Sequence, residues 1–290
     1  MRISVAAFSV AALALAGLAH GFDTVVLSAS ADNTMYEYEE FQGDLSNGIG
    51  SYFFAGETAG ALRRRGLLRF DIASAVPAGS TIRSATLTLH LSQTAAGPQT
   101  VTLHRATGSW GEATSDAPGQ EGGGAAAKIN DATWRHRFYD TTFWNTPGGD
   151  YMPANSSSTP VVDIGFYTWN STPIMAADIQ SWLNSPATNN GWIIIGNESG
   201  IQTAKRFDSR ENPNESFRPS LSITFDLPVV CDPDLNQDGN ADQGDVDYLV
   251  NVVAGGPNDT GIDPDFNIDG NVDQGDIDAL INVIAGGECP

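Results

Sequence analysis

Between Phe22 and Asp226 apolar and polar positions alternate in short runs: Leu68, Phe70 and Ile72; Leu87, Leu89 and Leu91; Val101 and Leu103; Val162, Ile164 and Phe166; Ile193 and Ile195; Leu221, Ile223 and Phe225. Alternation with a period of two places neighbouring side chains on opposite faces, so each run reads as an antiparallel strand half buried in a core. Gly, Pro, Asn and Ser separate the runs, as turns require. One segment breaks the pattern. Met175, Ile179, Trp182 and Leu183 fall at helical spacing behind Pro173, whose fixed φ suits a first helical turn, and predict a helix from about Pro173 to Leu183. The expected fold is mainly β, a jelly-roll-like antiparallel β-sandwich over 22–226 with a short helical cap.

The period changes near the C-terminus. Val246, Leu249, Val250 and Val253 are matched by Ile277, Leu280, Ile281 and Ile284, both sets at i, i+3, i+4 and i+7, and each helix pattern stops at a glycine pair, Gly255-Gly256 and Gly286-Gly287. An offset of 31 residues superposes the whole segment on itself. Before the first helix stand Asp234, Asn236, Asp238, Asn240, Asp242 and Asp245; before the second, Asp265, Asn267, Asp269, Asn271, Asp273 and Asp276. These are positions 1, 3, 5, 7, 9 and 12 of a calcium loop, with Gly239 and Gly270 at position 6. A hard cation wants six to eight oxygens. Side chains at 1, 3, 5 and 12 converge on it, the carbonyl at 7 adds one, position 9 acts through water, and the glycine permits the reversal. Two ions are therefore expected. Position 12 is Asp rather than the longer Glu, which brings the closing side chain nearer the ion. Pro233 and Pro264 precede the loops and exclude an entering helix, so the unit reads loop then helix, twice, over 234–290, behind a short linker at 227–233.

Charge sharpens this division. The net charge is -21, and residues 229–290 hold fourteen Asp or Glu and no Lys or Arg. Such a tail repels nucleic acid and anionic membranes and attracts divalent cations. Cys231 and Cys289 sit at its two edges and predict a disulfide that closes the small domain. At the other end, Met1-Arg2 followed by an apolar, alanine-rich run to Leu18 reads as a secretory signal over 1–19, with small residues near Ala19 for cleavage. The expected location is extracellular or at the cell surface, with no membrane span in the mature chain.

The duplicated loop-helix unit, with Asp at position 12 and no entering helix, resembles a type I dockerin domain, built of two calcium-binding F-hand repeats. The resemblance implies docking to a cohesin-like partner in polysaccharide degradation. Gln243, Gly244, Gln274 and Gly275 occupy the positions where many dockerins present Ser or Thr to that partner, so a purely structural calcium module stays open beside it. The larger region resembles the DNRLRE domain, a secreted sandwich family counted among carbohydrate-binding modules, some of which bind alginate. Leu67-Leu-Arg-Phe-Asp-Ile72, Ile82-Arg-Ser-Ala-Thr-Leu87, Ser109-Trp-Gly-Glu112, Asn190-Gly-Trp192, Arg206-Phe-Asp-Ser-Arg-Glu211 and Arg218-Pro-Ser-Leu221 carry it, in order across the domain.

Sugar binding needs aromatic faces and hydrogen-bonding or cationic side chains. Trp110, Trp134 and Trp144 lie in or beside loops and are candidates for the first, while Arg64, Arg69, Arg206 and Arg210 are candidates for the second, a guanidinium fork suiting the carboxylate of an anionic polysaccharide such as alginate. The competing role for these arginines is pairing with acids such as Asp208 and Glu211; Trp182 and Trp192 are assigned to the core. His90 and His104 would face each other if a hairpin turned near Gly97. Glu37, Glu39, Glu40, Glu112, Glu198 and Glu211 carry no pairing signature of a glycosidase. The expectation is a secreted, non-catalytic carbohydrate-binding protein. An extracellular structural or adhesion protein with a calcium-stabilised tail is the alternative, and a polysaccharide hydrolase or lyase a third.

Overall fold

The computed structural model describes residues 22–38, 44–228 and 231–290. The expected signal segment, Glu39 and Glu40, and residues 229–230 of the expected linker lie outside them. The chain divides into two compact units, one up to Pro228 and one from Val229 onward.

The first unit is mainly β. Its strands are β1 (Asp23–Ser28), β2 (Ala31–Tyr36), β3 (Leu45–Ser46), β4 (Tyr52–Glu57), β5 (Arg63–Arg69), β6 (Thr81–Thr94), β7 (Gln99–Arg105), β8 (Ala125–Ala126), β9 (His136–Phe138), β10 (Thr142–Phe143), β11 (Ser157–Val161), β12 (Gly165–Trp169), β13 (Trp192–Ile195), β14 (Lys205–Asp208) and β15 (Ser220–Asp226). Eleven of them form one curled antiparallel sheet in the order β1-β15-β6-β14-β4-β5-β13-β7-β11, with β12 added to β6 and β2 to β5. The sheet curls at β4, whose first residues pair with β14 while Gly56 and Glu57 pair with β5. Gly56 has φ +119°, and a Cβ there would sit 2.9 Å from Ala204 Cα, so only glycine lets the chain turn there.

The two halves of the curl enclose one core, as in a sandwich. Leu87, Leu89 and Leu91 of β6 and Leu221, Ile223 and Phe225 of β15 meet Leu68, Val101, Leu103, Trp192 and Ile194 from the other half. Burying each such side chain contributes about 1.5–3 kcal/mol. Helix α1 (Pro173–Asn184) covers this core with Met175, Ile179, Trp182 and Leu183, close to the span that spacing predicts. Thr172 caps it, its hydroxyl accepting the Met175 amide proton, and Pro173 opens it.

Two sequence expectations are corrected. Val162, Ile164 and Phe166 do not form an inward-facing run: β11 ends at Val161, β12 starts at Gly165, and Ile164 and Phe166 are exposed. The larger neighbours set the phase instead. Trp169 is fully buried with its indole N–H on the Val101 carbonyl, and the Tyr167 hydroxyl accepts from the Val162 and Asp163 amides, holding the turn. Second, β6 and β7 do not form a hairpin but pair with different strands, so His90 and His104 never face each other. The buried Lys205 explains the open arch. Its Nζ donates to Thr94 Oγ1 and to the carbonyls of Ala96, Gly97 and Val162, which fixes the connection away from hairpin geometry. Burial holds that ammonium below the usual lysine range.

The second unit holds α2 (Gln243–Val253) and α3 (Gln274–Ile284), each preceded by an acidic loop. Its small core is built from repeat-equivalent pairs: Leu235 with Phe266, Val246 with Ile277, Leu249 with Leu280. Cys231 and Cys289 form a disulfide with Cα atoms 5.9 Å apart. Among the described residues no helix is long and apolar enough to cross a membrane.

Candidate functional site

The two acidic loops are geometric copies as well as sequence copies. Asp234 accepts from the Asp238 amide at 3.1 Å and the Gly239 amide at 2.9 Å, and Asp265 does the same with Asp269 and Gly270 at 3.1 and 2.9 Å. The Asn236 and Asn267 amide oxygens accept from Asp238 and Asp269, both at 2.9 Å. Asp238 and Asp269 in turn accept from the Asn240 and Asn271 amides, both at 2.9 Å. The reversal that makes this possible uses positive φ at Gly239 (+96°) and Gly270 (+88°), with Gln237 and Ile268 at +60° two residues earlier.

The closing aspartates are set from the helix side. Asp245 and Asp276 are fully buried, each at the third position of its helix; one oxygen accepts the Asn236 or Asn267 amide at 3.0 Å and the other the Asp242 or Asp273 amide. Asp242 and Asp273 complete a reciprocal capping box at each helix start. The oxygen-bearing side chains at positions 1, 3, 5 and 12 thus each accept backbone amides of their own loop, positions 1 and 3 sharing the amide at position 5. That donor set, all oxygen and strongly anionic, fits a hard divalent cation. The carboxylates lean on the loop's own N–H groups rather than on one another, as like charges do. Neither loop brings three carboxylates within the 4.8 Å mutual distance found elsewhere in the chain.

Gln243 and Gln274 are exposed and bond to Asp247 and Asp278 one turn on, while Gly244 and Gly275 lie against the position-3 side chains. A Cβ there would meet Asn236 Nδ2 at 3.0 Å and Asn267 Nδ2 at 2.7 Å. The small residue lets the position-3 side chain lie over the helix start.

The proposed carbohydrate residues do not assemble into a surface site. All six tryptophans are buried, including Trp110, Trp134 and Trp144. The Trp110 indole donates to the Asn190 carbonyl, and the Trp144 indole to Thr133. These loops fold back on the sheet as a second apolar cluster with Met35, Leu67 and Ile193, which is why loop position misleads about exposure. The arginines are consumed likewise. Arg64 donates to the carbonyls of Glu37, Arg63 and Gly122; Arg69 lies over the Trp110 ring; Arg206 lies over Tyr52 and donates to Gln120. Arg210 pairs with Glu112 and Glu211. Asp208 holds His90 and Asn212 instead of an arginine.

Among the candidate acids, Glu37 pairs with Arg63 and Glu198 with Arg65. Glu112 and Glu211 come together with Asp32, an aspartate that sequence reading passes over because it sits alone in a polar run of β2. No separation of 80 or 179 residues announces such a contact. An open groove with the size of a small-molecule site also escapes the sequence: it encloses about 730 Å³ beside β7 and is lined in part by His104, Asn145, Thr146, Asp150 and Tyr151. Its residues come from β7 and the turn after it, the loop after β10 and the end of β13, with no shared motif.

Comparison with protein-family models finds no match to this chain, and none of the curated proteins matches it.

Proposed function

We propose that this is an exported, non-catalytic binding protein whose second unit takes one calcium ion in each of its two loops and serves as an attachment module, while the β unit holds a polysaccharide. The observation that carries the reading is the loop duplication. Donor residues, glycine reversal, capping box and hydrogen-bond lengths repeat at the same offset in both copies, a constraint that helix capping alone does not impose on positions 1, 3 and 5. The disulfide supports passage through an oxidising compartment. When bound, calcium would neutralise the loop carboxylates and rigidify both helix starts. The chain's own part is to present Asp234, Asn236, Asp238 and Asp245, and their equivalents Asp265, Asn267, Asp269 and Asp276, on pre-folded loops. A cohesin-like partner for the exposed helix faces belongs to the same proposal and follows from the dockerin resemblance.

For the β unit the groove beside β7 replaces the tryptophan and arginine clusters as the place for sugar. It combines aromatic edges at His104 and Tyr151 with amide, hydroxyl and carboxylate groups. Because none of Arg64, Arg69, Arg206 and Arg210 lines the groove, a neutral glycan suits it better than alginate. A non-catalytic role is supported by Glu112 and Glu211. Both carboxylates are tied to Arg210, which gives them a structural use within the fold. Depletion of the protein from solution by insoluble neutral polysaccharides, reduced at least tenfold by Tyr151→Ala, tests the reading. Failure to deplete on any glycan would favour the structural or adhesion role, which the buried tryptophans and the arginines engaged within the fold also support.

A further inference from the structure

Three carboxylates from distant parts of the chain meet in the β unit: Asp32 on β2, Glu112 in the loop after Trp110, and Glu211 in the turn after β14. One oxygen of each lies within 4.8 Å of the others. Glu112 uses both oxygens. Oε1 accepts from the Asp32 amide at 2.8 Å and Arg210 Nε at 3.0 Å, and Oε2 accepts from Arg210 Nη2 at 2.8 Å. Glu211 meets the same Nη2 through Oε1 at 2.8 Å, but its Oε2 is buried without any hydrogen-bond partner. Asp32 is 1 % exposed and accepts the Arg210 backbone amide at 2.7 Å. Three carboxylates against one guanidinium leave two uncompensated negative charges around a buried Asp32 and half-buried Glu112 and Glu211. Carboxylates that share such a site cannot all ionise.

A proton resolves both oddities. An O–H at Glu211 Oε2 removes one charge and gives the unpartnered oxygen something to donate to a neighbouring carboxylate. A metal ion would also supply charge, but the Arg210 guanidinium already occupies the cation position between Glu112 and Glu211 and would repel it. We propose that Asp32 and Glu211 share one proton at neutral pH, and that this proton latches the turn after β14 onto β2, so that the β unit loosens when the proton is lost. Burial, reinforced by the Glu211 charge, holds Asp32 well above the usual carboxylate range. Burial likewise pushes Glu211 up to about 7, against the opposing pull of Arg210. The charged groups facing the pair are Glu112 and Arg210. Both acids bind the proton more tightly folded than unfolded. Their stabilisation is therefore complete below the unfolded carboxylate range and is lost as pH rises through the raised folded values, about 7 for Glu211.

The experiment is thermal unfolding of the full chain in saturating calcium, across mildly acidic to mildly alkaline pH, followed by tryptophan fluorescence. All six tryptophans lie in the β unit, so the signal reports that unit alone. The wild-type midpoint should fall by several degrees as pH crosses neutrality. Glu211→Gln, whose amide supplies an N–H where the proton sat, should flatten the profile. A Glu211→Gln profile parallel to wild type overturns the proposal, as does recovery of the alkaline midpoint by raising calcium further, which would assign the cluster to a cation. Should Glu211→Gln not fold, carbon-13 NMR of the wild-type Glu211 carboxyl decides. Titration near neutrality supports the shared proton, and titration in the ordinary glutamate range contradicts it.

Discussion

At the residue scale the main lesson is what large polar-tipped side chains do when a loop folds back. Trp110 and Trp144 are placed in loops by the sequence, yet each buries its rings and satisfies its indole N–H on a carbonyl. Trp110→Ala should therefore cost about 3–5 kcal/mol of stability, measured by denaturant unfolding, with little change in glycan depletion for the fraction that stays folded. A selective loss of depletion without loss of stability would restore Trp110 to the binding role. The arginines follow the same rule. A guanidinium beside a buried carboxylate or a carbonyl row is worth more to the fold than to the surface, and the sequence does not show which carbonyls will be near. Lys205 is the extreme case: Lys205→Met should open the arch after β6, leave carbonyls unmatched and destabilise by about 1–3 kcal/mol, read in the same unfolding curves.

Elements were legible where the period was long or repeated. The α1 stripe, the β6 and β15 alternations and both loop-helix repeats are where the sequence places them, because each carries several periodic positions with a cap or a glycine stop. The Val162–Phe166 run failed because three alternating residues cannot fix a phase that Tyr167 and Trp169 compete for. The β6–β7 connection failed because a short Gly-containing link is compatible with either a hairpin or an arch, and the deciding Lys205 lies more than a hundred residues away. The Asp32, Glu112 and Glu211 cluster was invisible for the same reason of separation. In the small unit the disulfide closes 58 residues of chain, so replacing both cysteines by serine should cost about 4 kcal/mol in the chain-entropy picture. Far-UV circular dichroism melts in EDTA would detect it as loss of the α2 and α3 share of the helical signal at room temperature, with the β unit's signal retained.

For the whole molecule, the two compact units have different sources of stability. The β unit rests on a large apolar core, whereas the tail has, among the described residues, six buried apolar side chains, one disulfide and a strong excess of negative charge. Calorimetry should accordingly show the tail transition rising sharply with calcium while the β-unit transition stays within a degree or so. The central claim is that the duplicated loops are a two-ion calcium site. Isothermal titration of the full chain with calcium tests it most directly. The account predicts two ions per chain, one after either Asp245→Ala or Asp276→Ala, and none after both. Absence of calcium binding, or a stoichiometry unchanged by these substitutions, would contradict it.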